Sequence, residues 1–248
     1  MKESIRQLER NVEAFNADTA THGGYVYTAV DRWSSRYATG RQTDELIQML
    51  SENFPRSARI VDIGCGDGAF TMEIADRFQP SSIRGIDPAA NAVEAARARL
   101  TPQLSSSVSF EVGNIYDLEN KGETVAVARG VLHHLDRPQD AIIQLTEQFT
   151  SVIALEPNGY NPAMKVIEKT SQYHRQHDEK SYWPPTLNRW FTREGFKVAA
   201  QKFFCLVPYF CPTVAAKVLS RAEFAIESLP VVRQVCCGTN LVLYRRLS

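Results

Sequence analysis

Ile60-Val61-Asp62-Ile63-Gly64-Cys65-Gly66-Asp67-Gly68-Ala69-Phe70 decides how the rest of the chain is read. A run of strand formers ends in three alternating glycines, and a helical pattern begins at once behind them. Glycine turns the backbone tightly and lets a ligand approach without a Cβ in the way. In an open α/β sheet, the turn from the first strand to its helix is where a nucleotide-like ligand binds. The spelling is G-x-G-x-G, whereas a dinucleotide fold usually has G-x-G-x-x-G. Asp62 precedes Gly64 by two positions, where it can orient the loop or reach a ligand ammonium through water.

Outward from this loop, short apolar runs alternate with helical ones. The expected strands are Arg59–Ile63, Ile83–Ile86, Val108–Val112, Val125–Ala128 and Val152–Leu155. Helical patterns over Phe70–Phe78, Asn91–Leu100 and Pro138–Thr150 lie between them. Strand then helix, repeated, predicts a doubly wound α/β fold with a mostly parallel sheet covered on both faces. The final third predicts a helix over Thr186–Glu194, strands over Lys197–Leu206 and Cys237–Tyr244, and an apolar helix over Ala215–Ser228. Towards the start, Ile5, Leu8, Val12 and Phe15 fall at helical spacing over Glu3–Phe15. A further helix over Thr43–Phe54 stops at Pro55.

Two further strand ends carry chemistry. Nineteen residues after Gly68 comes Ile86-Asp87-Pro88, where a carboxylate can accept both hydroxyls of a ribose. The third strand ends in Gly113-Asn114-Ile115, an amide beside an apolar side chain, suited to the polar edge and flat face of adenine. Three correctly ordered strand-end signals say far more than a glycine loop alone.

These stretches, with Arg129-Gly130-Val131-Leu132-His133-His134-Leu135, make the chain resemble the class I S-adenosylmethionine-dependent methyltransferases, of the small-molecule type. The resemblance covers about residues 45–155 and is specific for the cofactor rather than the acceptor. It implies a Rossmann-like sheet of seven strands whose last pair is antiparallel. It also implies S-adenosylmethionine as cofactor, with Gly64, Cys65 and Gly66 against its methionine part and Asp87 and Pro88 at the ribose. Asn114 and Ile115 would hold the adenine, Asn114 standing where the family often has an acid. Asp62 and Arg129 complete this cofactor set. Similar enzymes close the site with N-terminal helices, so Tyr27 and Arg36 are expected at the methionine carboxylate or the acceptor.

Methyl transfer from a sulfonium is an in-line displacement that needs alignment and, for some acceptors, a base. His133 and His134 follow the fourth strand directly, and an imidazole titrates near neutral pH. His133 is the first choice of base, with structural roles for both histidines left open. Glu156, Asn158 and Tyr160 follow the fifth strand and are expected at the acceptor. His174 and His177 lie three apart and would share a helix face over it. With Glu179 they could also hold a metal, but two histidines at this spacing are common without one, and no metal is expected. Phe203, Phe204, Tyr209 and Phe210 either extend an apolar pocket or belong to the core.

Composition narrows the partners. The chain has 248 residues with 28 Lys plus Arg against 28 Asp plus Glu, so it lacks the basic surplus of a duplex-binding protein. A small, partly apolar acceptor is expected, and nucleic acid is not. The five cysteines are odd in number and form no C-x-x-C pair, which points to a reducing, cytoplasmic compartment. The most apolar stretch, Phe203–Leu219, is too interrupted for a membrane span. A homodimer is allowed. The expected organisation is one domain: residues 1–55 a helical cap, 56–157 the cofactor core, 158–195 an acceptor lid and 196–248 the last strands and helix. An NAD(P)-dependent oxidoreductase and a non-catalytic nucleoside-binding module stay open as alternatives.

Overall fold

The computed structural model describes residues 32–170 and 180–247. The expected helix over Glu3–Phe15, and the candidate site residues Tyr27, His174 and His177, lie outside them. Seven strands form one sheet: β1 (Arg59–Ile63), β2 (Ser82–Asp87), β3 (Val108–Val112), β4 (Val125–Arg129), β5 (Ser151–Pro157), β6 (Phe196–Phe204) and β7 (Thr239–Arg246). Their order is β3-β2-β1-β4-β5-β7-β6. The first five pair in parallel, and β7 runs antiparallel to both β5 and β6. This is the Rossmann-like sheet expected, with its strands within two residues of the predicted bounds.

Period-two alternation sorts side chains onto two faces. Ile60, Ile83, Val127, Ile153 and Leu241 pack with α1 (Trp33–Asn53), α2 (Ala69–Arg77) and α3 (Ala90–Arg99). Val61, Ala126, Val152, Val242 and Tyr244 pack with α4 (Pro138–Gln148) and, beyond the short α5 (Pro162–Thr170), with α6 (Pro184–Arg193). Because β1, β4 and β5 are covered on both sides, they read as nearly unbroken apolar runs. On the second face the rings of Phe191 and Tyr244 stack with centroids 3.8 Å apart, and the Tyr244 hydroxyl donates to Asn188 Oδ1. Leu187 and Phe191, assigned from sequence to the lid, are therefore helical cover for the sheet.

Helix α1 begins ten residues earlier than Thr43. Its first half is polar and shows little apolar period; what holds it is a charge network with α7 (Thr213–Glu227). Arg41 lies 2.9 Å from Glu223, 2.9 Å from Glu227 and 3.0 Å from Glu45, and Lys202 also reaches Glu45. The Tyr37 hydroxyl donates to Glu223, and burial together with that carboxylate pushes its phenol up to about 12. Glu223 and Glu227 also accept the backbone N–H groups of Leu206 and Cys205, so the end of β6 joins the same network. α5 and the last helix, α8 (Pro230–Cys236), were not resolved as elements by the sequence pattern.

Removing the Glu223 charge leaves Arg41 partly uncompensated and its neighbouring donors poorly matched. Glu223→Gln is expected to lower stability by about 1–3 kcal/mol. Urea denaturation should show this as a lower midpoint at unchanged slope.

Candidate active site

The strand order reverses between β1 and β4, and the crevice there opens at the carboxyl ends of the strands. Along its floor the glycine loop is stitched to β2. The N–H groups of Gly64 and Cys65 both donate to the Ile86 carbonyl, at 2.8 and 3.1 Å, and Gly66 N–H donates to Asp87 Oδ2 at 2.9 Å. Gly64 has φ +71°, and a Cβ there would stand 2.6 Å from Val131 Cγ2. Gly68 has φ +74° and caps α2; a Cβ on it would strike the Phe110 ring. A side chain at either glycine would be strained and would collide with a packed neighbour.

A cavity of about 410 Å³ sits over this loop. Asp62, Gly64, Cys65, Asp87, Pro88, Arg129, His133, His134 and Glu156, all singled out from the sequence, line it, whereas Gly66 does not. Its remaining wall is largely apolar, from Val131, Leu135, Met164 and the segment Leu206–Phe210. Tyr209 and Phe210 therefore face the cavity, whereas Phe203 and Phe204 are buried strand residues. Thr39 and Gln42 of α1 close the cavity from above, and neither was singled out from sequence.

Arg129 is the sole Lys or Arg among the lining residues. Its guanidinium is fixed by two hydrogen bonds to Gln42 Oε1 and lies 4.1 Å over the Phe70 ring. The Gln42 amide is oriented in turn by donating to Thr239 Oγ1. Asp62 is buried and accepts the Thr71 hydroxyl at 2.5 Å. Burial raises its carboxyl to about 7, helped by the Asp87 charge and opposed by Thr71 and Arg129. A buried acid and an anchored guanidinium thus share one end of the cavity. The methionyl group of S-adenosylmethionine carries one ammonium and one carboxylate, so these residues fit it.

On the opposite side, His133 and His134 occupy a single 3-10 turn, Leu132–His134. Glu156, at the end of β5, accepts the N–H groups of Val131 and Leu132 through Oε1 and that of His133 through Oε2. Its Oε2 also lies 2.8 Å from His133 Nδ1. A carboxylate at Nδ1 holds the proton on that nitrogen and leaves Nε2 as the basic one. Glu156 thus forms the floor of the histidine turn while also lining the cavity, where the sequence reading expects the acceptor.

Other expected contacts fall away from the cavity lining. Asn158 is fully buried and donates to the Gln234 and Cys237 carbonyls, so it ties β5 to α8. Tyr160 packs between Trp183 and Phe203. Arg36 is exposed on α1. Asn114 caps the turn Ile115–Asp117 by accepting Tyr116 N–H, and Ile115 is buried in the core. Both stand beside the end of β3, outside the lining. Among the described residues no group of His, Cys, Asp and Glu could hold a metal ion.

Residues 60–154 match a family model described as a methyltransferase domain. Magnesium-protoporphyrin O-methyltransferase of Rhodobacter capsulatus is 29% identical over 47% of this chain and 54% of its own length. Indolepyruvate C-methyltransferase of Streptomyces griseus is 37% identical over 40% of this chain and 29% of its own. The chain thus spans about half, or less, of the length of these curated relatives. Magnesium protoporphyrin IX methyltransferase from Synechocystis, solved with bound SAH, superposes with a TM-score of 0.65 at 14% identity, covering 88% of this chain and 89% of that one. The matched residues 60–154 include the glycine loop, Asp87 and the histidine turn, and these methyltransferase likenesses do not favour a nicotinamide oxidoreductase. Residues 60–154 thus form a methyltransferase domain, on a sheet of the fold seen in S-adenosylmethionine-dependent methyltransferases.

Proposed function

We propose that this protein transfers the methyl group of S-adenosylmethionine to a small, partly apolar organic acceptor that is protic at the reacting atom. One observation carries the reading. A single cavity holds the glycine loop, the Asp62–Arg129 pair and the His133–Glu156 pair, and the rest of its wall is apolar. The names of the relatives agree with it, since magnesium-protoporphyrin and indolepyruvate are small molecules. A nucleic-acid acceptor would call for a basic groove, and among the described lining residues Arg129 is the one Lys or Arg. All five cysteines are free thiols, which supports a cytoplasmic setting.

The cofactor, when bound, supplies an electrophilic methyl on a positively charged sulfur. Arg129 takes the methionyl carboxylate and Asp62 the ammonium, which sets the long axis of the ligand along the loop. Asp87 turns its carboxylate to the ribose while keeping the loop in shape through Gly66. His133 Nε2 then takes the acceptor proton as its oxygen or nitrogen attacks, and Glu156 is the positioning residue that fixes the tautomer. The apolar wall from Leu206 to Phe210, with Met164 at the start of α5, excludes water and seats the acceptor. In this scheme α1 caps the cavity through Thr39 and Gln42, and Asn161, Ala163 and Met164 bring the expected lid region to it.

A screen with methyl-labelled cofactor over fractionated metabolites tests the reading directly. Transfer into a small-molecule fraction is the expected result, and transfer only into nucleic acid or protein would overturn it. Asp62 gives a pH signature. With a carboxyl near 7, the free protein is protonated at lower pH, and ligand ammonium binding must displace that proton. Affinity should therefore fall as pH drops below 7, by up to about tenfold per unit, and level off above it. Calorimetry in buffers of different ionisation enthalpy should show proton release in the wild type and none in Asp62→Asn.

His133→Ala is expected to lower kcat by about a hundredfold or more while leaving cofactor affinity within about twofold. Glu156→Gln should lower kcat comparably for a different reason. An amide NH2 facing Nδ1 turns that nitrogen into an acceptor and moves the proton onto Nε2. Pre-steady-state rates with the identified acceptor separate these effects from product release.

A further inference from the structure

Helix α7 reverses the usual arrangement of a surface helix. Its two acids, Glu223 and Glu227, face inwards to Arg41 and to the N–H groups of Cys205 and Leu206. Its outward arc carries Val214, Lys217, Val218, Arg221, Phe224 and Ala225, with no acid among them. Val214 is 79% exposed, Val218 60% and Phe224 84%, values typical of surface polar residues rather than of valine and phenylalanine. Directly after the helix, Leu229 and Val231 are exposed as well. At 100° per residue Val214, Val218, Arg221 and Ala225 stack into one stripe, with Lys217 and Phe224 along its edge. The Lys217 ammonium lies 5.9 Å over the Trp33 ring, at the side of the stripe nearest α1.

We propose that this face docks on an anionic lipid bilayer. The charge pattern selects that occupant. Both outward charges are cations, carried on long stems among apolar side chains, so they can reach lipid phosphates while Val214, Val218 and Phe224 enter the acyl boundary. The acids that would be repelled by such a surface are the ones turned inwards. No helix among the described residues is long and apolar enough to cross a membrane, so the contact is interfacial. Its place in the fold adds a second argument. The segment Leu206–Phe210 lines the cavity and leads through Cys211 and Pro212 straight into α7, and Phe210 is itself exposed. A bilayer against α7 meets the lip of the cavity. Delivery of a partly apolar acceptor from lipid would follow; that clause alone rests on the proposed function.

Flotation of the purified full chain with vesicles tests the docking. Binding to phosphatidylcholine vesicles containing phosphatidylglycerol, lost on phosphatidylcholine alone and at high salt, is the expected result. The double substitution Val218→Asp with Phe224→Asp should weaken binding about tenfold or more, and Lys217→Glu with Arg221→Glu should remove the preference for anionic lipid. None of these residues lines the cavity, so cofactor binding measured by calorimetry should stay at the wild-type value and report an intact fold. Absence of flotation with anionic vesicles would overturn the proposal. So would a wild-type dimer in light scattering that the Val218/Phe224 substitutions convert to monomer, since a second copy would then be the occupant. Vesicle binding is read without any acceptor, so an empty methyl screen leaves this result standing.

Discussion

Two hydrogen bonds from Gly64 and Cys65 to the single carbonyl of Ile86, with a third from Gly66 to the Asp87 carboxylate, hold the loop against the end of β2. They matter because a loop made of three glycines has high conformational entropy when it is free, and a ligand would have to order it on binding. Here the sheet has already done so. Strand pairing brings Asp87, the buried Asp62 and the turn at Val131 to fixed distances, since each sits at or near the end of a paired strand. Everything proposed for the cavity depends on those strand ends staying in register.

The two sides of the cavity use charge differently. At the Arg129 end, Asp62 is left under-compensated, with burial outweighing Thr71 and Arg129. A ligand cation would repair that imbalance, so the free site is held in a state that binding improves. At the histidine end, Glu156 is fully engaged by three N–H groups and an imidazole. That carboxylate shapes the wall and has little left for a substrate. One acid is bonded to a single hydroxyl and the other to three N–H groups and an imidazole, a distinction that composition hides.

The sequence carried the parallel half of the fold well, because doubly covered strands are apolar along their whole length and glycine punctuates their ends. The placement of Asp87, Arg129 and His133 at the cavity was legible for the same reason: the first two end strands whose bounds the pattern sets, and His133 lies four residues after β4. What failed to show was long-range. Asn158 resembles a loop residue at the right sheet edge, and only the return of the chain at Gln234 and Cys237 turns its amide inwards. Gln42 sits in a helix stretch of weak period, and its contact with Arg129 bridges 87 positions. The early start of α1 was hidden because ion pairs with Glu223 and Glu227 hold it more than apolar burial does. Pairwise charge leaves no periodic trace.

Strand β7 lies between β5 and β6 although it follows both in the chain. During synthesis, the open edge of Ser151–Pro157 must therefore wait for the arrival of Thr239–Arg246, while β6 has no neighbour in the sheet. An apolar strand with unpaired N–H and C=O groups is sticky, and its partner arrives more than 80 residues later in the chain. Nascent chains of this protein have a vulnerable interval between the fifth strand and the seventh. Chaperone demand should concentrate in that interval, after the cofactor loop is made and before the sheet is whole.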